Sequence, residues 1–242
     1  DFTLAELLPP VEDRFGAWPE HATAPAPPTP RYRTRGPRGV VVLRPALRAY
    51  LRLVDRAPPF SDPDYAAFLV LEQLLGGMFA SRLNLSVREG SGASYGFHAF
   101  YGASAHEGLI ELETSIEPGF ARAVTELVLA ELRRVCDQDG GIEARELAIA
   151  RTRAREMLLV RVDTSLGSTL AMAQRVQVQQ EPNAWLDVLR RVDRLDAPAI
   201  EAAASRWLRP ERAPLLLVLR PEHADSVWEL GLGAMEVVRI DR

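Results

Sequence analysis

From residue 39 onward the apolar residues switch between two spacings, and the order of the switches strongly limits the folds open to this chain. GVVVLRP (39–45) is a continuous apolar run of strand length. ALRAYLRLVDRA (46–57) alternates Leu47, Ala49, Leu51 and Leu53 against Arg48, Tyr50 and Arg52. Period two means a half-exposed strand, because successive side chains point to opposite faces. SDPDYAAFLVLEQLLGG (61–77) reads as a helix. Ser61 or Asp62 can cap it, Pro63 suits its first turn, and Gly76 and Gly77 stop it. A short second helix is expected over 78–88. SYGFHAFYGA (94–103) and EGLIELETSIE (107–117) then read as two antiparallel strands joined near 103–107.

Residues 119–137 carry apolar side chains at 120, 124, 127, 128, 132 and 135, which is helical period. Gly140 and Gly141 break that pattern. Two further helices are expected over 143–162 and 164–180, with Asp163 and Thr164 where a cap is wanted, and short ones over 183–193 and 197–208. APLLLVLRP (213–221) reads as a buried strand, EHADSVWELG as a short helix and MEVVRID (235–241) as a last strand. The order is β, β, α, α, β, β, a run of helices, then β, α, β. Strands are grouped rather than strictly alternating with helices, which favours an α+β class: one mostly antiparallel sheet with helices packed on one face. Hydrophobic residues make up 47% of the 242, enough to build that core.

Residues 1–38 have a different texture. PEHATAPAPPTPRYRTRGPRG is rich in Pro, Ala and Arg without a sustained period, so 1–38 is expected to be an extension or linker and 39–242 a single α+β domain. The opening DFTLAELLPP has neither a basic n-region nor an initiator Met, which does not read as an intact signal peptide. No apolar run is read as reaching transmembrane length. The compartment stays open.

Composition excludes several kinds of chemistry. Net charge is −4, so nucleic acid has no global electrostatic reason to bind. All 29 basic residues are Arg, and no single face collects them. The single cysteine, Cys136, excludes a disulfide within the chain and a Cys-based zinc site. Its helical spacing from Leu132 reads as a small buried apolar residue. The histidines are His21, His98, His106 and His223, and none pairs with another at metal-ligating spacing. EGSGASYG is not read as a nucleophile elbow: with Ser91 between Gly90 and Gly92 and Ser94 between Ala93 and Tyr95, G-x-S-x-G is read as unmatched, and no His or acid is placed to complete a triad. Neither G-x-G-x-x-G nor a Walker pattern follows a strand here.

What remains is Arg88 and Tyr95, which lie in a glycine-bearing segment between a helix and a strand. A guanidinium fork and a phenol are donors that can bind a carbonyl oxygen and stabilise charge developing on it. Gly90 and Gly92 would let backbone approach a ligand closely. The simpler alternative makes Arg88 a solvated cation at a helix end, favoured by the dipole, and Tyr95 an aromatic on a packed strand face.

The stretch LLGGMFASRLNLSVREGSGASYGFHAF (74–100) resembles the second-domain signature of the pitrilysin/insulinase family of zinc metallopeptidases, which includes the mitochondrial processing peptidase. The features that carry the resemblance are the Gly76–Gly77 turn, Phe79, Ser81, Arg82 and Leu83, the Arg88–Glu89 pair, Gly92, and Tyr95 seven residues after Arg88. The likeness continues through EARELAIARTRAREMLLVRVDTSLGSTLAMAQ and VDRLDAPAIEAAASRWLRPERAPLLLVLRP, and covers about residues 39–240. The resemblance implies homologous domains that enclose a chamber, one with the inverted zinc motif and another with an Arg/Tyr pair near the scissile bond. The zinc motif is absent here, and Arg88 and Tyr95 match the pair. The implied role is the non-catalytic half of a zinc endopeptidase, inactive alone, with Gly76, Gly77 and Gly92 shaping the binding segment. This chain would hold no cofactor. Zinc and the Glu base would lie on a partner, either a homologous subunit or a preceding domain, and the substrate would be a peptide or protein. The alternative is a catalytically inert scaffold or peptide-binding module of the same fold.

Overall fold

The computed structural model describes residues 2–19, 38–91, 93–137, 141–176 and 180–240. It comprises two compact units, 1–33 and 34–242. In the first, α1 spans Leu4–Phe15, a helix where the sequence reading had only an arm without periodicity. Thr3-Leu-Ala-Glu6 is a capping box: the Thr3 N–H donates to the Glu6 carboxylate at 2.7 Å, and the Glu6 N–H donates to the Thr3 hydroxyl. Leu4, Leu7, Leu8, Val11 and Phe15 recur at helical spacing, a stripe obscured by Pro9 and Pro10 inside the helix. The Pro-rich stretch 20–37 lies outside the described residues.

In the second unit the strands are β1 (Gly39–Leu43), β2 (Ala49–Ala57), β3 (Phe97–Ala103), β4 (Gly108–Ile116), β5 (Leu215–Leu219) and β6 (Met235–Arg239). The helices are α2 (Tyr65–Glu72), α3 (Arg82–Ser91), α4 (Ala121–Cys136), α5 (Ala144–Val162), α6 (Ser165–Val176), α7 (Ala184–Arg194), α8 (Ala197–Trp207) and α9 (Ala224–Trp228). Among the described residues the sheet has six strands in the order β3-β4-β2-β5-β1-β6. Three pairings are antiparallel (β3–β4, β4–β2, β2–β5) and two parallel (β5–β1, β1–β6). The expected α+β class with a mostly antiparallel sheet is therefore the observed one.

Alternation places Leu51 and Leu53 of β2, Ile110 and Leu112 of β4, Leu215 and Leu217 of β5, and Phe97 of β3 in the core. Phe68, Leu71 and Leu75 bury with them, as do Val128 and Leu132 of α4 and Ile200 and Ala204 of α8. Each large side chain buried there contributes about 1.5–3 kcal/mol relative to exposure. Asp55 lies on the same buried face of β2. Burial pushes its carboxyl above the usual range, partly offset by N–H donation from Arg209 at 2.6 Å and Arg56 at 2.8 Å.

Several element ends differ from the sequence reading. Leu47 is 95% exposed and precedes β2, because pairing with β4 begins at Ala49 opposite Ile116. α2 starts at Tyr65, and Asp62 instead accepts the Asp64 N–H at 2.8 Å. Thr164 caps α6 as expected, accepting the Gly167 N–H at 3.0 Å. A π-helical turn, Gln73–Gly77, continues α2 to the glycines. From Tyr65 to Arg88 the chain has the length and hydropathy of a membrane span, contrary to the expectation that no run is that long. Its most apolar window is 72% buried inside the fold, which is the environment of a core helix.

The sheet face away from this core is organised by register. Val238, Val42, Val218, Tyr50 and Ser115 stand in one row. Glu236, Val40, Leu216, Arg52, Glu113 and His98 stand in the next. That face is thus mainly apolar over β6, β1 and β5 and polar over β2, β4 and β3.

Candidate functional site

At the polar end of that face, where β2 and β3 begin and β4 ends, lies a cavity of about 550 Å³. Its walls come from the start of β2 (Arg48, Tyr50), the turn after α2 (Gly76 to Phe79), the segment before β3 (Ser94 to Gly96) and the end of β4 (Glu113 to Ser115). Each wall is held by local chemistry. Gly76 packs so closely on β3 that a Cβ there would meet the Ala99 nitrogen at 2.7 Å. The buried Asn84 of α3 uses its whole amide as a clasp. Its Nδ2 donates to the carbonyls of Met78 (3.1 Å) and Phe97 (2.9 Å) and to the Ser81 hydroxyl, while its Oδ1 accepts the Phe97 N–H at 2.8 Å. Arg82 anchors the start of α3 to α5 through a fork on Glu146, with Nε at 3.0 Å from Oε2 and a second nitrogen at 2.5 Å from Oε1.

The segment before β3 is tied to β4 by hydroxyls. Ser94 Oγ lies 2.8 Å from Thr114 Oγ1 and donates to the Gly96 carbonyl, and the Gly96 N–H donates to Ser94 Oγ at 3.2 Å. Gly92-Ala93-Ser94-Tyr95-Gly96 does spell G-x-S-x-G. However, Ser94 is buried in this network and joins a helix to a strand, whereas a nucleophile elbow turns from strand to helix with its hydroxyl exposed.

Tyr95 stands at the apex of this turn and is 91% exposed. It is therefore not the packed strand aromatic of the simpler alternative. Its ring faces Arg48, whose guanidinium carbon lies 5.3 Å from the centroid. Arg88 occupies the last turn of α3 and does not line the cavity. Its guanidinium carbon lies 3.8 Å from the centroid of Phe79, which does line it. One Arg88 nitrogen, Nη1, is buried without a hydrogen-bond partner among the described residues, so Arg88 is not a freely solvated helix-end cation either. The structure thus brings Tyr95, Gly76 and Gly77 to one cavity and keeps Arg88 beside its aromatic wall. Gly92 lies outside the described residues.

Sequence reasoning singled out Tyr95 but not its surroundings. Tyr50 donates to Glu113, and Arg52 pairs with Glu111 and approaches Glu113 at 3.9 Å. Burial, followed by this bond to Glu113, pushes the Tyr50 phenol up to about 12. The signal was present in the alternation of β2, which put Arg48, Tyr50 and Arg52 on one side. Only the register with β4 shows what they meet.

Among the described residues no three His, Cys, Asp or Glu side chains come together as a metal site. The cavity offers donors, acceptors and two exposed aromatic rings, which suits a ligand with both polar groups and apolar surface.

A sequence profile described as the peptidase M16 inactive domain matches residues 1–154. None of the curated proteins matches the sequence. Among solved structures, the fold is similar to a peptidase M16 inactive domain from Pseudomonas fluorescens, at 20% identity and a TM-score of 0.63 over 75% of this chain and 44% of that one. It is similar to a protease from Helicobacter pylori at 15% identity and a TM-score of 0.72, over 90% of this chain and 53% of that one. A Bordetella pertussis structure described as a candidate zinc protease aligns at 15% identity and a TM-score of 0.61, over 70% of this chain and 93% of that one. The chain spans about half the length of the first two.

Proposed function

Because the chain belongs to the peptidase M16 inactive-domain family, we propose that it is the non-catalytic half of a zinc metalloendopeptidase, which positions a peptide and presents Tyr95 and Arg88 to its scissile carbonyl. The observation that carries this reading is the exposed Tyr95 at the wall of the cavity, on a turn tied to β4 through Ser94 and Thr114. A phenol fixed there can donate to a carbonyl oxygen as negative charge grows on it. Arg88 carries a buried donor without a partner among the described residues, and a substrate oxygen would satisfy it. Reaching that oxygen requires Arg88 to leave the Phe79 ring or the substrate to enter beside it.

The described residues do not fit zinc, since they bring no ligand set together. The metal and the Glu base are assigned to a zinc-bearing partner, either a homologous subunit or a preceding domain. The test is peptide hydrolysis with this chain alone, with its zinc-bearing partner, and with variants of the pair. No turnover is expected alone. Tyr95→Phe and Arg88→Ala should each lower turnover in the assembly by about 100-fold, the scale of losing one oxyanion donor. Wild-type turnover in both variants would overturn the reading.

One observation favours a second reading, an inert scaffold or peptide-binding module. Arg88 is held against Phe79 and does not line the cavity. In that case the variants would assemble with the partner and cleave at the wild-type rate.

A further inference from the structure

The backbone of Tyr95 and its side chain are held by different means. Ser94 and Gly96 on either side are bound to Thr114, with Thr114 Oγ1 2.8 Å from the Gly96 carbonyl and 2.8 Å from Ser94 Oγ. These bonds fix where Tyr95 leaves the turn. They do not fix where its ring points, because a 91% exposed side chain has little packing to choose a rotamer. The described contact on the ring is the guanidinium of Arg48, 5.3 Å from the centroid and within the range of about 6 Å for a cation over an aromatic face.

Arg48 is itself held unusually well for a half-buried surface residue. Its Nε donates to Ser115 Oγ at 3.0 Å, and one terminal nitrogen donates to the Ser115 carbonyl at 3.0 Å and to the Ala93 carbonyl at 3.3 Å. The fork therefore bridges the approach to β2, the end of β4 and the segment that carries Tyr95. The Ala93 carbonyl it reaches also accepts the Glu117 N–H at 2.8 Å, which links the same segment to the chain beyond β4. A flat, rigid fork bonded at its edge leaves its face free to stack, which a lysine ammonium cannot reproduce.

We infer that Arg48 is a positioning residue, which orients the Tyr95 phenol over the cavity through the face of its ring. This rests on Tyr95 being the group presented to substrate. It adds that the orientation depends on a residue 47 positions earlier, with Ser115 as the second-tier support of the fork.

The test uses the full chain labelled with 3-fluorotyrosine, which has five tyrosines. Tyr95→Phe assigns the Tyr95 fluorine resonance. Arg48→Ala should move that resonance toward the position of the free amino acid and leave those of Tyr50, Tyr65 and Tyr101 in place. Arg48→Lys should restore it only in part. Where Arg48→Ala perturbs every resonance, Ser115→Ala carries the test. It removes the hydroxyl acceptor alone and should shift the Tyr95 signal in the same direction. A Tyr95 resonance unmoved in Arg48→Ala, or in Ser115→Ala where that variant is needed, overturns the inference. In the assembly with the zinc-bearing partner, Arg48→Ala should lower kcat and leave KM nearly unchanged. Added to Tyr95→Phe, it should cost no further turnover, because both act through one group. Additive losses would mean that Arg48 acts on substrate by another route and would also overturn the inference. Wild-type turnover in Tyr95→Phe combined with a displaced resonance in Arg48→Ala would instead sink the catalytic reading while leaving the brace in place.

Discussion

The Arg88 guanidinium carbon lies over the Phe79 ring, 3.8 Å from its centroid, and Phe79 is part of the cavity wall. A cation thus backs the aromatic on one side of the cavity, as Arg48 backs Tyr95 on another. Phe79 is 74% exposed, so little of its apolar surface is repaid by burial. Its position is better explained by the cation it covers.

Phe79→Ala tests that relation. The loss of stability should be about 0.5–1 kcal/mol, the size of an exposed cation–π contact and well below the cost of emptying a core site. Urea unfolding of the variant provides the measurement. A loss above about 3 kcal/mol would mean that Phe79 is a core residue.

Gly76 and Gly77 should differ although they are neighbours. A Cβ at Gly76 meets the Ala99 backbone nitrogen at 2.7 Å, and backbone cannot move aside without displacing β3. Gly76→Ala should cost about 1–3 kcal/mol. A Cβ at Gly77 meets the end of the Gln73 side chain at 2.7 Å, a buried but flexible amide that gives more readily than backbone. Gly77→Ala should therefore cost clearly less, as read from the two melting curves.

The Arg82–Glu146 fork predicts a pH dependence. Burial acts to raise the Glu146 carboxyl, but the Arg82 fork and the Glu143 N–H outweigh it and leave the pKa below the usual value. A carboxyl depressed in the folded state adds stability above its unfolded pKa, about 4.3. That contribution declines as pH falls through this value and toward the folded pKa. Arg82→Ala should lower stability by about 1.5–3 kcal/mol at neutral pH, because it removes the charged hydrogen-bond partner of the half-buried Glu146. The deficit relative to wild type should shrink in acid. A deficit that stays constant from pH 7 to pH 3 would contradict the ion-pair account.

Cys136 should be chemically quiet in the folded chain. It is half-buried at the end of α4, and burial, followed by the charge of Asp55, pushes its thiol up to about 11. Against an unfolded thiol near 8.5, the thiolate fraction at pH 8 drops by about 200-fold. A thiol-reactive dye should label it slowly when native and rapidly in denaturant. Equal rates would contradict the packing described for α4.

Much of this fold was legible in the order of hydrophobic periods. β2, β4 and the helices of the second unit announce themselves because each buries one face, and burial selects the spacing of apolar residues. α1 was not legible, because Pro9 and Pro10 masked its stripe, although the Thr3–Glu6 capping box was there to be seen. The start of β2 was misplaced at Leu47 because alternation continues past the point where the partner strand ends.

The candidate site divides in the same way. Local sequence determined that Gly76, Gly77 and Tyr95 flank a helix-to-strand passage, since glycines and turn hydroxyls act on their immediate neighbours. It could not determine that Tyr95 would be exposed, that Arg88 would lie on Phe79, or that Arg48 would brace the phenol. Those contacts join residues brought together by strand register and helix packing, and a single chain carries no local signal of which distant residue will be opposite. Spacing decided the elements, and only the tertiary structure decided which charges and rings face one another across the cavity.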